Sequence, residues 1–535
     1  MQAPEFPRTW WAGGLLLVFG VAAVLAVMNL FWGELNHDEG WYLYAAQQVA
    51  DCAQPYRDFA FTQGPVLPAV YSWANGLIAR HGVLGGRLLT GLFGLLAALL
   101  SGALAARWAP PAARRPAALL AMGLLLCNTY HSYFSIVVKT YSLCALFLLA
   151  GAAGLAECRR QQRHGLYALA AGVAFALATG VRLSAGIWLL VAAAYFLVER
   201  RRHPRAGLWF GLGAGATLLL VFARPILQAP EQTWFWLVQY HAARETAGGA
   251  ADWLYRAGFL SRFVQAYFVP LALLVAWLTA RALTRPTRAP VESWAWALWA
   301  GLGLTTLVHG FAPFPYEDYQ VMLMPLFAAL LSAALVGEIR VLVPADAQGR
   351  WLRGVTAATL LAVFGAAFSS PLNQAWVLQG RDRIWWSFKA QSDLGQLRAA
   401  GRRLAEAARP GELLLTQDVY LAVEAGLRVP SGLEMGPFSY YPDWSDERAE
   451  RFRVLNEDGL TRVLTTSDAR WAAYSDYGFS IASPSITPVA PQQVERFRGI
   501  LHERYDVMTT IPSFGQAYTT LYILERKPDQ PREES

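Results

Sequence analysis

Long apolar runs recur along residues 1–371 and dominate the hydrophobic pattern of the chain. A helix needs about 20 consecutive apolar residues to cross roughly 30 Å of hydrocarbon at about 1.5 Å per residue. The pattern therefore predicts an α-helical polytopic membrane protein with about eleven transmembrane helices. The predicted spans are 11–32, 83–105, 117–131, 135–156, 165–181, 184–198, 206–223, 264–281, 291–311, 319–337 and 354–371.

Three stretches outside these runs are too long to be simple turns. The outer loop 33–82 contains two apolar stripes, separated by Gly64-Pro65, which predict short helices along the membrane surface. The outer loop 224–263 is dense in Trp and Tyr, which favours a membrane-associated position in the headgroup layer. Residues 372–535 have the composition of a soluble domain. The prediction is a transmembrane module over 1–371 and a C-terminal α/β domain over 372–535.

Within the C-terminal domain, helical and alternating patterns follow one another. The predicted helices are 394–408, 444–458 and 491–504, and the predicted strands are 413–416, 462–466, 506–511 and 518–525. The domain contains no P-loop and no convincing GxGxxG motif, so nucleotide chemistry is not indicated there.

Composition agrees with a lipid solvent, because 55% of the residues are hydrophobic and only 16% are charged. Arginines concentrate in alternate loops, which predicts a cytoplasmic amino terminus and an exported C-terminal domain. The net charge of +7 reflects this distribution and does not predict a nucleic-acid partner. The first run is too long for the apolar core of a signal peptide. Frequent Ala, Arg and Leu favour a bacterial source, and thus the cytoplasmic (inner) membrane, crossed several times.

The sharpest local motif is His37-Asp38-Glu39-Gly40-Trp41-Tyr42-Leu43-Tyr44, just after the first predicted span. In one interpretation Asp38 is a helix N-cap, with Glu39 favoured by the helix dipole. In the other, the carboxylate pair performs chemistry at the membrane surface. The two interpretations are compatible, because a capping geometry would also fix the direction of a catalytic carboxylate.

Three elements of loop 33–82 resemble the first outer loop of the GT-C membrane glycosyltransferases, in particular family 39-like bacterial enzymes related to protein mannosyltransferases and aminoarabinose transferases. They are Asn36 to Tyr44, Pro55-Tyr56-Arg57-Asp58-Phe59 and Gly64-Pro65. The resemblance implies the GT-C fold and transfer of a hexose or pentose from a polyprenyl-phosphate donor to a lipid, glycan or protein acceptor on the outer face. It implies that Asp38 is the general base and that Glu39 orients the acceptor or Asp38.

The leaving group of such a reaction is a lipid phosphate, so cations are expected near the membrane surface. The candidates for phosphate binding are Arg57, Arg182 and Lys139. Arg182 interrupts an apolar stretch, where an ionisable residue needs a partner, although snorkelling to the headgroups is the alternative. Lys139 stands where many GT-C relatives carry an acidic residue, which leaves the role of that span open.

A second acidic cluster, Tyr316-Glu317-Asp318, precedes the predicted span 319–337. With His37 and Tyr42 it supplies candidate contacts to the acceptor or donor; helix capping is the alternative for the two acids. A divalent cation shared with Asp38 is the weakest option, and the histidines lack zinc-ligand spacing, so no metal site is predicted. The alternative function is a transporter or flippase of a lipid-linked sugar, which would favour ionisable residues deep within the spans.

Overall fold

The computed structural model describes residues 7–160, 164–244, 248–283, 292–344, 346–366, 391–475 and 477–528. Up to residue 366 the described chain is built from helices and the segments that connect them. These are α1 (Arg8–Trp32), α2 (His37–Ala50), α3 (Val66–Ser72), α4 (Asn75–Trp108), α5 (Arg114–Leu126), α6 (Thr129–Phe134), α7 (Tyr141–Arg160), α8 (His164–Val181), α9 (Ile187–Val198), α10 (Ala206–Gln228), α11 (Pro230–Trp234), α12 (Tyr240–Ala242), α13 (Gly249–Ala266), α14 (Phe268–Leu283), α15 (Ser293–Gly310), α16 (Met324–Leu342) and α17 (Gln348–Ala366).

The C-terminal region mixes helices and strands, as the sequence predicts for an α/β domain. Its elements are α18 (Asp393–Ala407), β1 (Leu414–Leu415), α19 (Val419–Ala425), α20 (Asp446–Arg451), α21 (Glu457–Thr466), β2 (Trp471–Tyr474), β3 (Ile481–Ala482), β4 (Thr487–Pro488), α22 (Pro491–Arg504), β5 (Tyr505–Phe514) and β6 (Thr519–Arg526). Four strands form one sheet in the order β1-β2-β6-β5, with β1 parallel to β2 and the other pairs antiparallel. Strands β3 and β4 form a separate antiparallel pair.

Among the described residues, six helices are long and apolar enough to cross a membrane, and a bent pair would make a seventh. The six are Arg8–Trp32, Asn75–Trp108, Tyr141–Cys158, His164–Val181, Leu183–Arg201 and Ala206–Gln228. The bent pair joins Gly249–Ala266 to Phe268–Ala282 at an angle of 88°, and Met324–Ile339 is a shorter apolar helix. The helical, polytopic character of the chain is thus confirmed, whereas the number of about eleven spans stays a prediction.

Several boundaries differ from the prediction for local physical reasons. The predicted span 117–131 ends as a helix at Leu126, because the Asn128 side chain caps a new helix by accepting the His131 N–H. The predicted span 135–156 begins with six non-helical residues before α7. Residues 367–371 and 372–390 of the predicted span and domain lie outside the described residues.

The predicted strand 462–466 is wrong, because these residues belong to α21. Asn456 caps this helix, and Leu460 and Leu464 lie buried one turn apart, a spacing that fits a helix face. The predicted helix 444–458 is also wrong in its extent, since α20 ends at Arg451. Strand β2 was not predicted; its four residues are all buried, so they show no alternation of polar and apolar positions.

Two compact units divide the described chain. The first takes its described residues from Met1–Leu30, Thr90–Phe222 and Thr246–Phe388, and the second takes them from Phe31–Leu89, Ala223–Glu245 and Lys389–Ser535. Loop 33–82 therefore packs with the C-terminal domain, although more than 300 residues separate them in sequence. The division at residue 371 stays a prediction about the sequence segments.

Part of the aromatic cluster in loop 224–263 packs inside the second unit. The ring of Phe235 lies 4.7 Å from that of Phe452, and Trp236 lies 6.0 Å from Tyr441. Trp234 in the same segment is exposed. Membrane association of this loop therefore stays a prediction, since packing accounts for some of its aromatic residues.

Candidate active site

The turn that carries Asp38 and Glu39, which we call the carboxylate turn (residues 36–41), begins α2 with a capping box. The Asn36 side chain accepts the N–H of Asp38 at 3.1 Å, and the Glu39 carboxylate accepts the N–H of Asn36 at 3.0 Å. The N-cap is therefore Asn36 and not Asp38. The interpretation of Asp38 as the helix N-cap is therefore wrong, and the capping interactions are made by the side chains of Asn36 and Glu39.

Glu39 forms a fully buried ion pair with Arg87 of α4. The guanidinium donates to both carboxylate oxygens at 2.7 Å, and the exposed fraction of both side chains is 0%. The same guanidinium donates to the carbonyl oxygens of Gly33 and Glu34, at 3.2 and 2.8 Å. Arg87 on α4 thus bonds to the residues that directly follow α1 and to the carboxylate turn. Glu39 is placed to stabilise this turn.

Asp38 lies half-buried in the first turn of α2. The indole Nε1 of Trp41 donates to its Oδ1 atom at 3.1 Å, across one turn of the helix. Trp41 in turn packs on Tyr42, with ring centroids 3.9 Å apart, and both rings are buried. A partly accessible carboxylate is thereby held in one direction by a buried aromatic layer, and Tyr42 belongs to that layer.

His37 is buried against the C-terminal domain. Its ring stacks on Tyr477 at a centroid distance of 4.0 Å and lies 5.5 Å from Tyr420. Burial lowers the pKa of His37 from 6.5 to about 4, against the opposing effect of the Asp38 charge. The imidazole is therefore neutral near pH 7 and presents an aromatic surface to both tyrosines.

This pKa predicts an acid-sensitive fold. Because the unfolded chain protonates His37 below about pH 6.5 and the folded chain only near pH 4, stability contributed above pH 6.5 is lost as the pH falls toward 4. At pH 5 the expected loss is about 2 kcal/mol. His37→Phe keeps an aromatic ring in contact with the tyrosines and cannot be protonated. We expect the unfolding temperature of detergent-solubilised His37→Phe to fall less between pH 7.5 and 5 than that of the wild type; equal shifts would contradict the assignment.

Arg57 is held by its sequence neighbour. Its Nε and Nη2 atoms donate to the two oxygens of Asp58 at 2.8 and 2.7 Å, and Nη1 donates to Gln228 at 2.9 Å. The Arg57 carbonyl oxygen accepts from Arg453 of the C-terminal domain at 3.0 Å. These contacts give Arg57 a structural role in the second unit, and its predicted contact with a phosphate stays a prediction.

The first unit contains a second group of predicted residues, which we call the cation cluster (Lys139, Thr140, Arg182, Asp318 and Tyr319). Lys139 donates to Asp318 at 2.9 Å, and both side chains are 11% exposed. Arg182 donates to the Thr140 hydroxyl at 3.2 Å, and its guanidinium carbon lies 4.3 Å from the centre of the Tyr319 ring. The sequence predicted Lys139, Arg182 and Asp318 separately, and the structure brings them together.

The other two residues of the second acidic motif diverge from Asp318. Glu317 pairs with Arg262 of α13 at 2.9 Å. Tyr316 is 40% exposed, with its ring edge-on to Tyr319 at 5.6 Å. Of the three neighbours, Tyr316 is therefore the most accessible to a ligand. Among the described residues, no group of three or more His, Cys, Asp or Glu side chains could hold a metal ion.

Sequence reasoning missed three kinds of residue. Arg87 carried a signal, since it is an arginine within the predicted span 83–105 and such a residue needs a buried partner. Arg262 and Tyr319 contact the predicted residues Glu317 and Arg182, but nothing in the sequence around them indicated these contacts. Tyr420 and Tyr477 carried none either, because their partner His37 lies more than 380 residues away in sequence.

Comparison with solved structures places the chain in a known fold. It is similar to the aminoarabinose transferase ArnT from Cupriavidus metallidurans bound to undecaprenyl phosphate, with a TM-score of 0.59, 14% identity, and coverage of 97% of this chain and 99% of that chain. The apo form of the same protein gives a TM-score of 0.58 at 14% identity, over 96% and 98% of the two chains. The oligosaccharyltransferase of Archaeoglobus fulgidus in its apo form gives 0.49 at 11% identity, over 86% and 70%.

No protein-family model matches the chain, and no curated protein matches it. The fold is that of the GT-C membrane glycosyltransferases, so the resemblance predicted from residues 36–65 is confirmed for the fold.

Proposed function

We propose that this chain is a membrane glycosyltransferase that moves a hexose or pentose from a polyprenyl-phosphate donor to a lipid, glycan or protein acceptor. The observation that carries the proposal is the half-buried Asp38 carboxylate, held by Trp41 on a turn that a buried ion pair secures. The fold supports it, because the similar ArnT was solved with undecaprenyl phosphate bound. We place the reaction on the outer face of a bacterial inner membrane.

In this proposal Asp38 is the general base. An acceptor hydroxyl or amine must lose a proton as it attacks the anomeric carbon, and a carboxylate within hydrogen-bond reach takes that proton. The Trp41 indole donates to Oδ1 of the Asp38 carboxylate and so fixes its direction. Glu39 and His37 act as neighbours that hold the turn, because both are buried and engaged in its packing.

The cation cluster is proposed to receive the phosphate of the donor. A guanidinium that lies against an aromatic face keeps its N–H donors in its own plane, where two phosphate oxygens can accept them. Arg182 has this arrangement on Tyr319. Lys139 lies in the same cluster and adds positive charge, which Asp318 balances before the phosphate binds. The exposed Tyr316 and the neighbouring Glu317 are proposed contacts for the acceptor or the donor sugar.

Removing the Arg182 side chain should weaken donor binding. Each charge-assisted hydrogen bond contributes about 1.5–3 kcal/mol, so Arg182→Ala should raise the dissociation constant of undecaprenyl phosphate by about tenfold to a hundredfold. The measurement is binding of labelled undecaprenyl phosphate to purified protein. Arg201→Ala, at an exposed position of the same unit, is the matched control. Unchanged affinity in Arg182→Ala would remove this residue from the phosphate site.

The class of the protein is tested by the fate of the donor. Purified protein in vesicles receives a polyprenyl-phosphate sugar labelled in the sugar, with a bacterial membrane extract as the source of acceptor. A glycosyltransferase consumes the donor, releases polyprenyl phosphate and labels the acceptor. A flippase would instead move the intact donor to the opposite leaflet, and that result would overturn the proposal.

A further inference from the structure

The C-terminal domain contacts the carboxylate turn through its aromatic side chains. Tyr477 stacks on His37 with an angle of 16° between the ring planes, and Tyr420 covers the same imidazole at an angle of 29°. His37 directly precedes Asp38 in the chain. The orientation of the His37 ring is therefore fixed by the C-terminal domain and not by the loop alone.

The C-terminal domain also satisfies an amide of the turn. The first N–H groups of a helix have no partner within the helix, and side chains usually accept them. The Asn36 side chain accepts the N–H of Asp38, and the Oε1 atom of Gln516 accepts the N–H of His37 at 3.0 Å. Gln516 lies in the turn between β5 and β6. Two neighbouring amides of the helix end are thus capped by segments far apart in sequence.

Close backbone packing joins the two segments at Gly40. A Cβ atom at this position would lie 2.4 Å from the Tyr420 backbone nitrogen, so no larger residue fits without movement of the backbone. Tyr420 itself is anchored, because its hydroxyl lies 3.3 Å from Asp418, which accepts the N–H and the hydroxyl of Ser475 at 2.9 and 3.0 Å. The surface that receives α2 is therefore internally braced.

We propose that the C-terminal domain positions the general base, and that Tyr477, Tyr420 and Gln516 are positioning residues for Asp38. This inference rests on the proposed function. The three residues contact the turn at His37 and Gly40, on both sides of Asp38 in sequence. Small displacements of a catalytic group lower rates strongly: a shift of about 1 Å costs up to about a hundredfold. We call the contacts of these three residues with the carboxylate turn the clamp. Loss of the clamp should slow the chemical step and leave the affinity for the donor unchanged.

The test compares two substitutions of Tyr477. Tyr477→Ala removes the stack on His37, and Tyr477→Phe keeps it. We expect Tyr477→Ala to lower kcat by about tenfold or more with an unchanged KM for the donor, and Tyr477→Phe to retain kcat within about twofold. The matched control is Tyr522→Ala, which removes a ring that stacks on Tyr474 inside the C-terminal domain. Gln516→Ala serves as an independent variant that removes only the amide acceptor, in case Tyr477→Ala does not fold.

Hydrogen exchange separates this inference from the proposed function. The amides of residues 37–42 should exchange about tenfold faster in Tyr477→Ala and Gln516→Ala than in the wild type, whether or not sugar transfer is detected. If both variants had wild-type amide exchange rates at residues 37–42 and wild-type kcat, the inference that the clamp positions Asp38 would be wrong. If the wild type transferred no sugar, the proposed function would be wrong. The exchange rates would still show whether the clamp holds the carboxylate turn.

Discussion

Arg87→Met is expected to destabilise the protein by about 3–5 kcal/mol, the cost of leaving one member of a buried ion pair without its partner. The methionine side chain fills similar space but leaves the Glu39 carboxylate in a site that is 0% exposed. It also removes the donors to the carbonyl oxygens of Gly33 and Glu34. Thermal unfolding of the detergent-solubilised variant measures the effect.

A second substitution separates charge from packing. In Arg87→Met combined with Glu39→Gln, the buried charge is gone and the glutamine oxygen can still accept the Asn36 N–H, so much of the stability should return. Arg80→Met, at an exposed position in the helical segment that precedes the break at Gly82, should unfold like the wild type. If Arg87→Met unfolded at the wild-type temperature, the ion pair would not secure the carboxylate turn.

The local sequence was sufficient for the start of α2. The acidic residues Asp38 and Glu39 and the apolar positions that follow them predict a capped helix after the first span, and the structure has one. The interpretation of Asp38 as the cap is wrong, because Asn36 is the N-cap; Asn and Asp are both good N-caps, so local sequence does not decide between them. The choice follows from the ion pair, since Arg87 draws Glu39 into the position from which it reaches the Asn36 amide.

Contacts across long sequence separations explain what the sequence did not predict. The stack of His37 on Tyr477 and the pair of Lys139 with Asp318 join residues 440 and 179 positions apart. Local periodicity carries no information about such partners. Strand β2 was missed because its four residues are all buried and show no alternation of polar and apolar positions, whereas the two longest helices of the domain, α18 and α22, were predicted well.

Asp38→Asn is expected to lower sugar transfer by at least about a hundredfold, the lower end of the contribution of a general base. The asparagine oxygen can still accept the Trp41 indole N–H, so the direction of the side chain should persist while its basicity is lost. Transfer in reconstituted vesicles measures the effect. Asp51→Asn, an exposed carboxylate at the other end of α2, is the matched control and should keep wild-type transfer.

The central claim is that Asp38 takes part in the chemical step of sugar transfer. Single-turnover transfer tests it most directly, because the labelled polyprenyl-phosphate sugar is bound to excess enzyme before the acceptor is added, which removes donor binding from the measured rate. Asp38→Asn should bind the donor with wild-type affinity and transfer its sugar at least about a hundredfold more slowly than the wild type. Transfer at the wild-type rate by this variant would contradict the claim.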